Sequence, residues 1–413
     1  MTARRNGKRK INVVHLRSSR GTGGGPDKTL LFSALEGDRE AFNVHVVYLK
    51  SENDPDFDLE QRANKLGVES FTAIGERSRF DLRAMRVLLR VLREKNADIL
   101  SCHCYKSDLY GLILSRFHSM KLLTTVHGPI PERAHQWSRS HWKVRYLYDQ
   151  LDYRLLRYFD HVIIVAETMR KAIVRYGVEP QRITCVRNAI DADYFCKAEG
   201  GDLRQRFGIP TDATVIGAVG RLDQQKDYPN LMAATRILLD EGHNVFCVVA
   251  GLGPQEQELR ERVQALGLGQ RFLFLGHFQD VREVFQMMDI YALSSITEGL
   301  PNTVLEAMAM EVPVVSTQVD GVAEVVAHER EALLVPSRDS TQLAAAIRRL
   351  LVDPFFAQQL SRAARSRIER DFSFSTRMRR VEGIYRDLLE VRSVPHKQQV
   401  ADLSEAQSQS SLS

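Results

Sequence analysis

Alternation is the feature that most constrains this chain. From residue 11, short apolar runs and longer amphipathic stretches follow one another, stop once, and start again. Ile11-Asn-Val-Val-His-Leu16 reads as a buried strand, Gly21-Thr-Gly-Gly-Gly-Pro26 as a loop, and a helical pattern opens near Asp27. Strand patterns recur at 44–49, 97–102, 121–126 and 162–165, with helical patterns at 59–66, 79–95, 107–117 and 167–176. Strands this apolar need cover on both faces, and the intervening helices supply it. The expected fold is therefore α/β, with parallel doubly wound sheets.

The periodicity stops between Lys197 and Asp212, where Glu199-Gly-Gly-Asp and Ile209-Pro-Thr-Asp are turn-rich. It restarts with strands at 214–219, 245–250, 272–275, 290–293 and 312–316 and helices at 230–241, 255–266, from Pro301 and from Thr341. The expected organisation is a basic arm at 1–10, a first Rossmann-like domain at 11–198, a second at 199–374, and a disordered Ser- and Gln-rich tail at 392–413. Two such domains facing each other leave a cleft at the carboxyl ends of their strands, where open α/β sheets bind ligands.

Charge and cysteine content exclude several classes. Arg4, Arg5, Lys8, Arg9 and Lys10 supply five positive charges, and the 52 remaining basic residues are matched by 52 acidic ones. A neutral body argues against a nucleic-acid-binding protein. Five cysteines in 413 residues fit reduced thiols, and no apolar run is long enough for a transmembrane helix or a signal peptide. The expected location is cytoplasmic.

The glycine cluster at 21–25 fails the dinucleotide spacing because Pro26 stands where the last glycine belongs, and Ala250-Gly-Leu-Gly-Pro254 fails likewise. Cys102-His103-Cys104 has no second cluster at zinc spacing, so no metal site is expected. His127, in Val126-His127-Gly128, ends a strand and reads equally as a capping group or a cleft residue. Gly220-Arg221 ends another strand, with Lys226 five residues after Arg221. Two cations at the mouth of a sheet suit a diphosphate. Glu298-Gly299-Leu300-Pro301-Asn302-Thr303-Val-Leu-Glu306 runs from a turn into a helix, with Pro301 expected at the first helical position. Such a helix start suits phosphate, and the two flanking acids suit the vicinal hydroxyls of a sugar nucleotide. Val319-Asp320-Gly321 repeats the layout of a turn leading into an acidic helix start, at Glu324.

Together these segments resemble glycosyltransferase family 4, whose members have the two-Rossmann GT-B fold. Glu298 and Glu306 stand at its E-x7-E spacing, Arg221 and Lys226 look like its donor-phosphate pair, and Val126-His127-Gly128 looks like its cleft histidine. Val186-Arg-Asn188-Ala-Ile-Asp191 with Phe195 resembles the segment before its interdomain linker, with Ala189 in place of glycine. Asp98 to His103 resembles its D-x-x-x-x-H strand. The resemblance spans residues 11–391. It implies a retaining, metal-independent transfer from a nucleoside diphosphate sugar, UDP-linked or GDP-linked, to a glycan, glycolipid or other hydroxyl acceptor in cell-surface polysaccharide synthesis. Arg221 and Lys226 would then bind the diphosphate. Glu298 would orient the sugar, Glu306 would hold the ribose, and the amides at 300–303, beside Gly299, would cradle phosphate. His127 would bond the sugar, and Gly24 and Gly25 would let the first loop approach. A helix at 375–391 would return to the first domain. No cofactor is implied.

The competing reading is a non-catalytic sugar-nucleotide-binding or scaffold subunit, against which the intact Arg221, Lys226, Glu298 and Glu306 argue. One surface feature stands apart. Arg83, Arg86, Arg90 and Arg93 fall within about 80° on one helix face, opposite an apolar face that includes Leu82. Residues 131–158 mix six Arg or Lys with Trp137, Trp142, Tyr146 and Tyr148. These and the basic arm read either as solvated surface or as a peripheral contact with an anionic membrane at its inner face.

Overall fold

The computed structural model describes residues 9–19, 21, 24–78, 80–128, 153–196, 203–319 and 321–390. Residues 1–8 of the basic arm, the tail, Asp320, Trp137, Trp142, Tyr146, Tyr148 and the expected boundary at 198–199 lie outside that set.

Two parallel sheets form. The first contains β1 (Ile11–Ser18), β2 (Phe42–Ser51), β3 (Phe71–Glu76), β4 (Ile99–Cys102), β5 (Lys121–Val126), β6 (His161–Ile164) and β7 (Ile183–Cys185), in the order β3-β2-β1-β4-β5-β6-β7. The second contains β8 (Thr214–Val219), β9 (Val245–Ala250), β10 (Phe272–Gly276), β11 (Ile290–Leu293), β12 (Val314–Thr317) and β13 (Leu333–Val335), in the order β10-β9-β8-β11-β12-β13. Strand order reverses between β1 and β4, and again between β8 and β11. Those two switch points open crevices beyond the strand ends.

Side chains alternate across β1. Val14 and Leu16 face one apolar cluster and Val13 the other, where it meets Ile99, Leu123 and Ile163 from neighbouring strands. Cover on that second face comes from the far end of the sequence. Helix Phe374–Glu390 lays Met378, Val381, Ile384, Tyr385 and Leu388 on it, a three-and-four spacing that makes one stripe. Full burial of such side chains is worth about 1.5–3 kcal/mol each. The chain crosses between the sheets twice side by side, since the Ile190 amide donates to the Phe372 carbonyl at 2.9 Å.

Three expectations are corrected. The helix expected at 79–95 is Leu82–Glu94, because the Asp81 side chain accepts from the Arg83 and Ala84 amides and caps it there. Leu82, on the first turn, is 59% exposed and does not pack on the sheet. Pro301 is the cap before its helix, with extended backbone (ψ 109°), and the helix is Asn302–Ala309.

Candidate functional site

Side chains from the two switch points meet in the cleft. In the second sheet, the turn Gln224–Lys226 after β8 is pinned to the loop after β11. Ile296 donates its amide to the Gln225 carbonyl at 2.8 Å, and Ser294 Oγ donates to the Lys226 carbonyl at 2.7 Å. This pinning aims Lys226 Nζ at Glu298 Oε1, 2.7 Å away, and Ser295 Oγ donates to the same oxygen at 2.6 Å. Glu298 is 7% exposed. A buried carboxylate held by a cation and a hydroxyl is a preorganised acceptor, and its lysine is an anion site one exchange away.

Arg221 does not join that pair. Its side chain is 75% exposed, with Nε 3.5 Å from Asp223. The structure thus separates the two cations that the sequence reading placed together, because the turn after Leu222 folds Lys226 inward and leaves Arg221 at the rim.

Glu306 lies on helix Asn302–Ala309 and is buried. Its Oε1 accepts from Lys28 Nζ at 2.8 Å, across the cleft, and its buried Oε2 has no partner. Asn302 Nδ2 donates to the Gly25 carbonyl at 2.9 Å and lies 3.1 Å from Thr29 Oγ1, while Asn188 Nδ2 donates to Asn302 Oδ1 and to the Leu300 carbonyl. Thr303 Oγ1 accepts from the Tyr291 hydroxyl at 2.7 Å. The two halves also meet at Gly299, where a Cβ would sit 2.5 Å from the His127 carbonyl oxygen. Gly24 donates its amide to Asp27, which also takes an ion pair from Arg17 at 2.7 Å.

His127 leaves β5 beside His103, which leaves β4. Burial pushes both imidazoles well below the ordinary histidine range, with the Arg17 and Arg377 charges adding to the effect, so both are neutral. His103, at the end of the Asp98–His103 stretch, is buried and bonded to His127. Lys28, His15 and Tyr385 carried no local signal of a site role.

Facing parallel sheets with a cleft at paired switch points, lined by buried carboxylates and a lysine, define a glycosyltransferase of the GT-B class. The profile described as Glycosyltransferase Family 4 matches residues 24–194, and that described as Glycosyl transferases group 1 matches residues 201–367. The chain belongs to glycosyltransferase family 4. It is 24% identical over 317 residues to the Escherichia coli UDP-Gal:alpha-D-GlcNAc-diphosphoundecaprenol alpha-1,3-galactosyltransferase, covering 75% of this chain and 80% of that one. It is 28% identical over 307 residues to the alpha-maltose-1-phosphate synthase of Mycolicibacterium smegmatis, covering 70% and 79%. The structure of Anabaena HepE in complex with UDP-glucose superposes with a TM-score of 0.77 at 20% identity, covering 91% of this chain and 100% of that chain. Among the described residues no helix is long and apolar enough to cross a membrane.

Proposed function

We propose that this enzyme transfers a sugar, with retention of anomeric configuration, from a nucleoside diphosphate sugar to a hydroxyl of a glycan or lipid-linked acceptor in cell-surface polysaccharide assembly at the cytoplasmic face. The observation that carries the reading is the buried pair of acids. Glu298 is bound to Lys226, and Glu306 keeps one buried oxygen without a partner. That oxygen is suited to a ribose hydroxyl, and Glu298 to the hydroxyls of the donor sugar. Lys226 and Arg221 neutralise the diphosphate as charge develops on it, and the amides of Leu300, Asn302 and Thr303 cradle a phosphate. His127 bonds the donor sugar. The acceptor hydroxyl attacks from the face that the diphosphate leaves, and the departing phosphate takes its proton. No enzymic nucleophile and no metal are needed. UDP is the favoured nucleotide, in keeping with the names of the E. coli galactosyltransferase and the HepE complex.

A thermal-shift series with UDP-, GDP- and ADP-sugars tests the donor. Ligand at one hundred times its dissociation constant stabilises a protein by about 2.7 kcal/mol. A rise with one nucleotide class, and nucleoside diphosphate release that survives EDTA, is expected. No shift with any donor would support a scaffold role, and strict dependence on a divalent ion would overturn the metal-free mechanism.

A further inference from the structure

Three histidines from adjacent strands stand in single file behind the cleft. His127 Nε2 lies 3.0 Å from His103 Nδ1, and His103 Nε2 lies 2.8 Å from His15 Nδ1. His15 Nε2 lies 3.4 Å from the Tyr385 hydroxyl on the returning helix. Because β1, β4 and β5 are neighbours, with His15 level with Ser101 and Cys102 level with Thr124, His103 and His127 each stand two residues further along, and the file runs diagonally across the strand ends. His15, His103 and Tyr385 are buried, and His127 Nδ1 is a buried nitrogen without a partner.

We propose that His103 and His15, closed off by Tyr385, are positioning residues for His127: the file of hydrogen bonds commits its Nε2 and leaves Nδ1 as the one ring atom offered to the donor sugar. This rests on His127 being the residue that bonds that sugar. A neutral imidazole carries one donor and one acceptor nitrogen. Burial and the buried Arg377 guanidinium keep His15 neutral, with its pKa lowered to about 3, and burial does the same for His103. Three neutral rings in file must therefore share one direction of donation. No ring turns over alone, since that would set two lone pairs or two N–H groups against each other. The tautomer that His127 shows the substrate is thereby coupled across three links to the Tyr385 hydroxyl, on a helix from the far end of the chain.

The closing experiment compares His103→Leu, which cannot bridge its neighbours, with His103→Gln, whose amide supplies one donor and one acceptor. Misplacing a reactive contact by about 1 Å costs about 100-fold. His103→Leu is expected to lower kcat about 10- to 100-fold, with donor KM changed less than about threefold, and His103→Gln to recover most of the loss. Long-range proton–nitrogen spectra of the ring nitrogens give a readout independent of turnover. His127 should show one neutral tautomer in the native protein and averaged tautomers in His103→Leu. Should that variant not fold, Tyr385→Phe removes only the terminal oxygen and should also shift the His127 signals. Native kcat in a folded His103→Leu, or His127 signals unmoved in both variants, overturns the proposal. Native turnover in His127→Phe would instead overturn the sugar-binding reading on which it rests.

Discussion

Glu298 is the residue on which most of the proposed chemistry converges. Glu298→Ala is expected to lower kcat by about 10²–10³, the cost typical of one removed transition-state contact. Arg221→Ala, at the exposed rim, should raise donor KM as well as lower kcat. Steady-state kinetics separate the two, and unchanged values in both variants would remove these residues from the mechanism. The buried histidines make a second residue-scale prediction. Unfolded imidazoles take a proton near pH 6.5, whereas folded His15 resists until about pH 3 and His45, held by Ser70 and Thr72, until about pH 4. Their stabilising effect is thus complete above pH 6.5 and is lost as pH falls below it. Between pH 6.5 and 5 the slope should reach about 1.4 kcal/mol per pH unit for each such histidine. Urea melts across that range should show it, and His15→Gln should flatten it by about one proton. The acids and Lys226 were legible because their spacing is local. Lys28 and Tyr385 were not, because their partners lie 278 and 370 residues away.

Among elements, the strands that sequence patterning misses are β3, β7 and β13, and all three are edges of their sheets. A central strand is covered on both faces and reads as an unbroken apolar run. An edge strand such as Phe-Thr-Ala-Ile-Gly-Glu is half-exposed and carries polar residues that hide it. The sheet centres, which carry the site, were therefore the best-read part of the fold. Helix Leu82–Glu94 carries its own prediction. Arg83, Arg86, Arg90 and Arg93 are exposed, and so are Phe80 and Leu82 at its start. Each cation near an anionic leaflet is worth about 1 kcal/mol. Co-sedimentation with anionic vesicles should fall with salt and vanish when the four arginines become glutamine. Equal recovery in the supernatant with anionic and neutral lipid would leave the stripe a solvated face. Loss only on deleting residues 1–10 would move the contact to the arm.

At the scale of the whole molecule, helix Phe374–Glu390 packs its apolar stripe on the first sheet. What patterning does not reach is the degree of closure. Lys28 spans the cleft to Glu306, and Asn302 reaches the loop at Gly25, so nucleotide entry has to exchange a ligand for the protein's own cross-cleft bonds. The tight approach at Gly299 has a practical consequence. A single methyl there would act as a doorstop under the His127 carbonyl, propping the jaws ajar while the nucleotide half keeps its shape. Gly299→Ala is expected to hold donor within a few-fold of native affinity by calorimetry and to turn over almost none of it. If it turned over normally, the hinge would have more slack than this contact allows. If it behaves as expected, one carbon atom uncouples loading from firing, and the loaded, unfired enzyme becomes a stable species that can be isolated and soaked with candidate acceptors.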